Sequence, residues 1–268
     1  MPQVTTDIQN NIAVVTITNP PRGYMNAETT EELTALQKDL DANDDVRVVV
    51  FTGGVPGVFI RHYDVGEIRA YQEIMRKAAA EGNTDPVPEN AVQALYRAVD
   101  MWRKPTIAAI NGFCQGGGYE FALTCDIRVA EDGDYLIGLP ESKVGIFPGA
   151  GGTQRLTRHI GVSRALEMIL RGRTVGPREA AELGLIHDVA PGKALDHALG
   201  IAGELAAKTP ASMKIIKELI KPAPYRQLED GLRMEYEGFA TLIRDDEGSK
   251  TLMDAFLAQG EDINNVTG

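Results

Sequence analysis

Short β-branched runs alternate with segments whose apolar residues recur at helical spacing, and this alternation restricts the chain to α/β architectures. Ile12 to Ile17 and Val46 to Thr52 read as strands, with Leu33, Leu36 and Leu40 on one helical face between them. A third run, Thr106 to Ile110, meets Asn111-Gly112 and then a triple glycine, after which Phe121 to Leu123 and Ile127 to Ala130 resume the apolar pattern. This order predicts a mostly parallel sheet with right-handed crossovers, its ligand sites in loops at the carboxyl ends of strands. From about Ser163 the chain reads as helical. Pro177, Pro210, Pro222 and Pro224 stand near expected helix starts, and Leu232, Tyr236, Phe239 and Ile243 form one apolar stripe. These features divide the chain into an α/β core over residues 1–195 and a helical region over 196–268, with no internal sequence repeat. Ala78 to Glu89, AAAEGNTDPVPE, has no apolar face and reads as a mobile loop, either a surface insertion or a lid over a ligand.

Composition narrows the function. The chain is 268 residues long, with 38 acidic side chains against 27 basic ones and a net charge of −11. That balance argues against a nucleic-acid or anionic-membrane partner, each of which is recruited by a basic face. No apolar run approaches the ~18 residues of a membrane span. The N-terminal residues show neither a secretory nor a transit pattern, and Cys114 and Cys125 read as two buried thiols in a reducing compartment. Together these features predict a cytoplasmic location.

The usual chemical motifs are missing. The glycines at 116–118 and at 149, 151 and 152 complete neither G-x-G-x-x-G nor a P-loop, there is no G-x-S-x-G elbow, and His62, His159, His187 and His197 lack metal-ligand spacing. No metal is expected. Two glycine-rich turns each have a glutamate close by: Gly116-Gly117-Gly118-Tyr119-Glu120, and Leu139-Pro140-Glu141 ahead of Pro148-Gly149-Ala150-Gly151-Gly152. Glycines directly before an apolar helix expose unpaired N–H groups at its positive end, which can hold an anion or a developing oxyanion. Glu120 falls in the first turn of that helix, where the dipole favours its ionised form. Glu141 sits among Ile137, Leu139, Val144, Ile146 and Phe147, where burial raises a carboxyl pKa. Two carboxyls with pKa values pushed apart make a base and acid pair. The same residues also fit tight helix packing beside two ordinary glutamates, and by themselves they leave both readings open.

The segments IAAINGFCQGGGYEFALTCDIRVA and GLPESKVGIFPGAGGTQRLTRHIG, followed by AELGL, resemble the enoyl-CoA hydratase/isomerase (crotonase) family in order, spacing and identity. Asn26-Ala27 before the first helix and VVVFTG at Val48 to Gly53 extend the resemblance over nearly the whole chain. It implies a repeated ββα spiral core with a helical C-terminal region that forms trimers, commonly paired into hexamers. It also implies an acyl-CoA thioester substrate whose carbonyl is polarised by two backbone N–H groups, here of Tyr63 and Gly117. Glu120 then matches the carboxylate that activates water for attack on the β-carbon, and Glu141 the acid that protonates the α-carbon. Retention of both points to reversible hydration of a 2-enoyl-CoA, with no dissociable cofactor. Carbon–carbon cleavage on the same fold, as in hydratase-lyases or β-diketone hydrolases, with a substrate that is aromatic or lacks CoA, stays open as an alternative. So does a catalytically silent acyl-CoA-binding or RNA-associated member.

The resemblance further implies that Arg22, Tyr24, Arg61, His62, Asp64 and Val65 line the substrate site on one side, and Tyr119, Pro140 and Gly149 on the other. Here the chain also departs from the family. Arg61-His62-Tyr63-Asp64 stands where small residues are usual, Gly66 replaces a common lysine, and Leu257 to Asn264, LAQGEDIN, replaces a basic stretch. Arg22, Arg61 and Arg69 read either as substitute phosphate contacts or as solvated charges. Tyr24, Tyr63 and Tyr119 suggest an aromatic or bulky acyl group, or plain core.

Overall fold

The computed structural model describes residues 2–83 and 85–258. Its strands are β1 (Val4–Gln9), β2 (Ile12–Ile17), β3 (Val48–Gly53), β4 (Val58–Ile60), β5 (Thr106–Ile110), β6 (Phe113–Gln115), β7 (Ile127–Glu131), β8 (Ile137–Gly138), β9 (Thr174–Val175) and β10 (Asp188–Ala190). The helices are α1 (Ala27–Ala42), α2 (Val65–Ala80), α3 (Ala91–Asp100), α4 (Gly117–Ala122), α5 (Gly152–Ile160), α6 (Val162–Arg171), α7 (Pro177–Glu182), α8 (Ala194–Ala206), α9 (Pro210–Ile220), α10 (Leu228–Asp245) and α11 (Glu247–Ala258).

The β-branched runs do form a parallel sheet. Its order is β1-β2-β3-β5-β7-β10, with only β1 antiparallel to its neighbour. A second sheet, ordered β4-β6-β8-β9, is built from the second strand of each ββα unit and is not visible in the residue pattern. Its strands are two or three residues long, too short for a period of two to show. Each turn of the chain therefore gives one strand to each sheet before the next helix: β3 then β4, β5 then β6, β7 then β8. The repeat is geometric and leaves no trace as a sequence repeat.

The core follows from this winding. One face of the large sheet, with Val15, Phe51, Ala108 and Ile110, buries against Leu33, Leu95, Tyr96 and Phe121 of the helices. The other face, with Val48, Val50, Ile107 and Val129, is covered by a stripe of alanines on α8: Ala194, Ala198, Ala202 and Ala206. Small residues at every fourth position let α8 lie close on the strands. α8 straddles the 195/196 division and packs on the sheet. α9 is tied down by Lys217 and Lys221, whose ammonium groups lie 2.6 Å and 3.1 Å from the Asp126 carboxylate. α10 buries no residue, so the stripe Leu232, Tyr236, Phe239 and Ile243 is exposed along it. The region expected to be a loop from Ala78 starts in helix, since α2 continues to Ala80.

Candidate active site

α4 follows Gly116, whose φ of +51° turns the chain out of β6. The next two glycines are required by contact. A Cβ on Gly118 would lie 2.0 Å from the Ile60 carbonyl oxygen, and one on Gly117 would lie 3.0 Å from Tyr63 Cβ and 3.2 Å from the Tyr63 amide nitrogen. The start of α4 is thus pressed against residues 60–63. That strap is itself held to the chain before α1: Met25 N–H donates to the His62 carbonyl at 2.9 Å, and Asp64 N–H donates to the Met25 carbonyl at 2.8 Å. Among the described residues, neither the Tyr63 nor the Gly117 N–H donates to a protein acceptor.

Glu120 stands in the first turn of α4 and is only 4% exposed. Its Oε1 accepts from the Ala150 and Gly152 N–H groups, each at 2.8 Å. Burial pushes its pKa up, opposed by these two amides and by Arg155. The sequence points to the helix dipole as what favours the ionised form; in the structure burial is the largest influence on Glu120, and the groups that favour its carboxylate are the Ala150 and Gly152 amides and Arg155.

Glu141 begins a 3₁₀ turn, Glu141–Val144, directly after Pro140. Both its carboxylate oxygens are buried and lack a hydrogen-bond partner among the described residues. Burial first, and the charge of Glu120 second, push its pKa up to about 8. Gly116 packs between Glu141 and the strap, since a Cβ there would be 3.3 Å from Glu141 Oε1 and 3.6 Å from His62 Cβ. Glu120, with two amide donors, ionises before Glu141, which has none. Two carboxyls so differently placed suit a base and acid pair.

The remaining candidates distribute unevenly. Tyr24 stacks on His62 with ring centroids 4.2 Å apart, Arg22 lies over Tyr24, and Arg61 lies 4.7 Å over Phe113 while its Nε donates to the Arg22 carbonyl at 3.1 Å. The Tyr63 hydroxyl donates to Glu67 Oε2 at 2.7 Å, and burial raises its pKa above the usual phenol range. Asp64 caps α2 by accepting from Gly66 N–H at 2.6 Å, and Val65 opens the helix, exposed. Gly149 is turned outward, its carbonyl accepting from Gln93. Tyr119 does not join the site: it is fully buried, and its hydroxyl donates to the Leu185 carbonyl at 2.9 Å, whereas the Glu120 carboxylate meets the turn 150–152. Arg69 pairs with Glu73 on the exposed face of α2. Of Leu257 to Asn264, all but Leu257 and Ala258 lie outside the described residues. Sequence reasoning singled out the turn 148–152 but not the two amides in it that meet Glu120, nor Arg155. Behind α4, the buried Arg128 guanidinium donates to the Cys125 carbonyl at 2.7 Å and the Leu185 carbonyl at 3.1 Å, and so caps the segment that ends α4.

A cleft of about 500 Å³ lies between the β1–β2 turn and α8, but Asp7 is the one ionisable group in its lining. Paired carboxyls with perturbed titration outweigh volume in placing chemistry, so the site is assigned to Glu120 and Glu141.

The enoyl-CoA hydratase/isomerase family model matches residues 7–262. The chain belongs to that family. It is 32% identical to the short-chain-enoyl-CoA hydratase of Clostridium acetobutylicum over 251 residues, covering 93% of this chain and 92% of the relative. It is 33% identical to a probable enoyl-CoA hydratase of Bacillus subtilis over 250 residues, 92% of each. The crystal structure of an enoyl-CoA hydratase from Bacillus anthracis superposes with a TM-score of 0.85 at 29% identity, covering 99% of this chain and 98% of that one. The two-sheet spiral is therefore the crotonase fold, and the chain is an enzyme of the enoyl-CoA hydratase/isomerase family. No helix among its described residues is long and apolar enough to cross a membrane.

Proposed function

We propose that the protein hydrates a 2-enoyl-CoA thioester to the 3-hydroxyacyl-CoA. The observation that carries this reading is the pair of buried carboxyls, one gripped by two amides and one without any partner, beside two free N–H groups. The thioester oxygen sits between the Tyr63 and Gly117 amides, which stabilise the charge it gains as the α-carbon becomes enolate-like. Ionised Glu120 takes a proton from water as the water oxygen bonds to the β-carbon, and protonated Glu141 gives its proton to the α-carbon. Passing one proton from Glu120 to Glu141 resets the pair. Only acyl-CoA, water and protein groups take part, so the scheme uses no dissociable cofactor.

Arg22 and Arg61 stand at the edge of the strap, where they can meet CoA phosphates, and the Tyr24–His62 stack offers an aromatic wall beside Glu141. That wall favours a second reading, cleavage of an aromatic hydroxyacyl-CoA after hydration. Incubation with crotonyl-CoA and cinnamoyl-CoA tests both. Loss of the enoyl absorbance with a 3-hydroxyacyl-CoA product is the expected result, a shortened aldehyde turns the assignment to cleavage, and no turnover of either, with no CoA binding by calorimetry, overturns it. Because Glu141 must carry a proton, kcat falls as pH rises through about 8, which a pH–rate profile with crotonyl-CoA checks. The exposed apolar stripe of α10 supports assembly into trimers or paired trimers, and two buried, unpaired cysteines support a reducing, cytoplasmic setting.

A further inference from the structure

We propose that Arg155 is a positioning residue for Glu120: clamped by Asp100, its guanidinium holds the turn 149–152 in the conformation that points the Ala150 and Gly152 amides at the Glu120 carboxylate. This inference rests on Glu120 being the general base. Ala150 is grasped from two sides, its N–H donating to Glu120 Oε1 at 2.8 Å and its carbonyl accepting from Arg155 Nη1 at 2.9 Å. Between Ala150 and Gly152 the chain passes through Gly151 at φ +101°, a conformation that side chains avoid. The guanidinium occupies the space a side chain there would need, with Nη1 2.2 Å from the Cβ position. Glycine and arginine are thus complementary halves of one turn.

The guanidinium is fixed from behind as well. Its Nε donates to Asp100 Oδ2 at 2.8 Å, and the other Asp100 oxygen accepts from Lys221 Nζ at 2.9 Å. The Arg155 and Asp100 side chains are 15% and 25% exposed, so this pair is screened far less than a surface ion pair. Lys221 in turn reaches Asp126 Oδ1 at 3.1 Å. A chain of contacts therefore runs from α9 through Asp100 and Arg155 to the backbone that grips Glu120.

Arg155 also acts through its charge. The ionisable groups around Glu120 are Glu141 on the 3₁₀ turn, Tyr96 on α3, whose hydroxyl donates to the Gly117 carbonyl at 2.7 Å, and Arg155 on α5. Arg155 is the cation among them and favours the carboxylate. Its loss makes the base harder to ionise, so the acid limb of the rate profile moves to higher pH.

The test measures kcat and KM for crotonyl-CoA against pH in Arg155→Gln, Arg155→Lys and Asp100→Asn, each also combined with Glu120→Gln. Arg155→Gln is expected to lower kcat on the order of tenfold with KM little changed, and to raise the acid limb by about one pH unit. Lysine restores part of the pH shift, because it keeps the charge, and less of the kcat, because it cannot reach Asp100 and Ala150 together. In the Glu120→Gln background, Arg155→Gln adds no further loss. A folded Arg155→Gln with wild-type kcat and acid limb overturns the proposal, as does a loss that adds fully to that of Glu120→Gln. Should Arg155→Gln fail to fold, Asp100→Asn decides in its place by the same readouts. Wild-type activity in Glu120→Gln alone would instead defeat the assignment of the base.

Discussion

Replacing Glu141 with glutamine should abolish nearly all turnover and, above neutral pH, make the protein more stable. The loss of turnover follows from the proposed role: glutamine keeps the shape of the protonated acid but has no proton to give, and general acid–base groups contribute ~10²–10⁴ in rate. The gain in stability follows from the titration. In the unfolded chain this carboxyl ionises at its ordinary value of 4.5, and in the folded protein at about 8. Between those values the folded state keeps a proton that the unfolded state has released. The stability this gives is complete below about pH 4.5 and is lost as pH rises through 8, an amount of up to about 5 kcal/mol at ~1.4 kcal/mol per unit. Glutamine removes that loss. Thermal melts of both proteins at pH 5 and pH 9 therefore diverge, the wild type falling with pH more steeply than the variant. A variant that keeps kcat, or melts with the same pH slope as wild type, refutes the role or the titration respectively. Such a trade of stability for a strained functional group is common in active sites.

Gly118→Ala should damage the site through the backbone alone. The added methyl group would sit 2.0 Å from the Ile60 carbonyl oxygen and 2.8 Å from its carbon, and neither atom can rotate away. Ile60 ends β4, which pairs with β6 through Cys114, so the sheet resists a shift and α4 must yield. Its N-terminus then moves off the strap, and the Gly117 and Tyr63 amides no longer face one oxygen. Overpacking of this kind costs about 1–3 kcal/mol, and losing one oxyanion donor costs ~10²–10³ in kcat. Gly192→Ala is the control, since nothing lies within 4 Å of a Cβ at that position. Equal melting temperatures and equal kcat for the two variants would show that the α4–strap contact does not set the site.

What the sequence disclosed follows from where its signals are strong. The large sheet was legible because Ile12 to Ile17, Val48 to Gly53 and Thr106 to Ile110 are buried β-branched runs, and α4 because three glycines precede an apolar stretch. Glu120 and Glu141 stood out by their neighbours, as did the raised titration of Glu141. The second sheet stayed hidden because strands of two residues, such as Ile137–Gly138, have no period. Tyr119 was misplaced because adjacent positions on a helix point about 100° apart, so Glu120 reaches the site and its neighbour reaches Leu185. The groups that oppose burial at Glu120, the Ala150 and Gly152 amides and Arg155, were not legible, because none of them lies in its own helix. The grip of Ala150 and Gly152 uses main-chain atoms alone, and the guanidinium that backs it comes from the next helix.

Arg128 lies beneath α4, fully buried. A guanidinium holds its charge across the whole interval in which Glu120 and Glu141 exchange theirs, and its carbonyl acceptors do not titrate at all. The two bonds that hold the segment ending α4 therefore keep their charge and their partners while protons come and go above them.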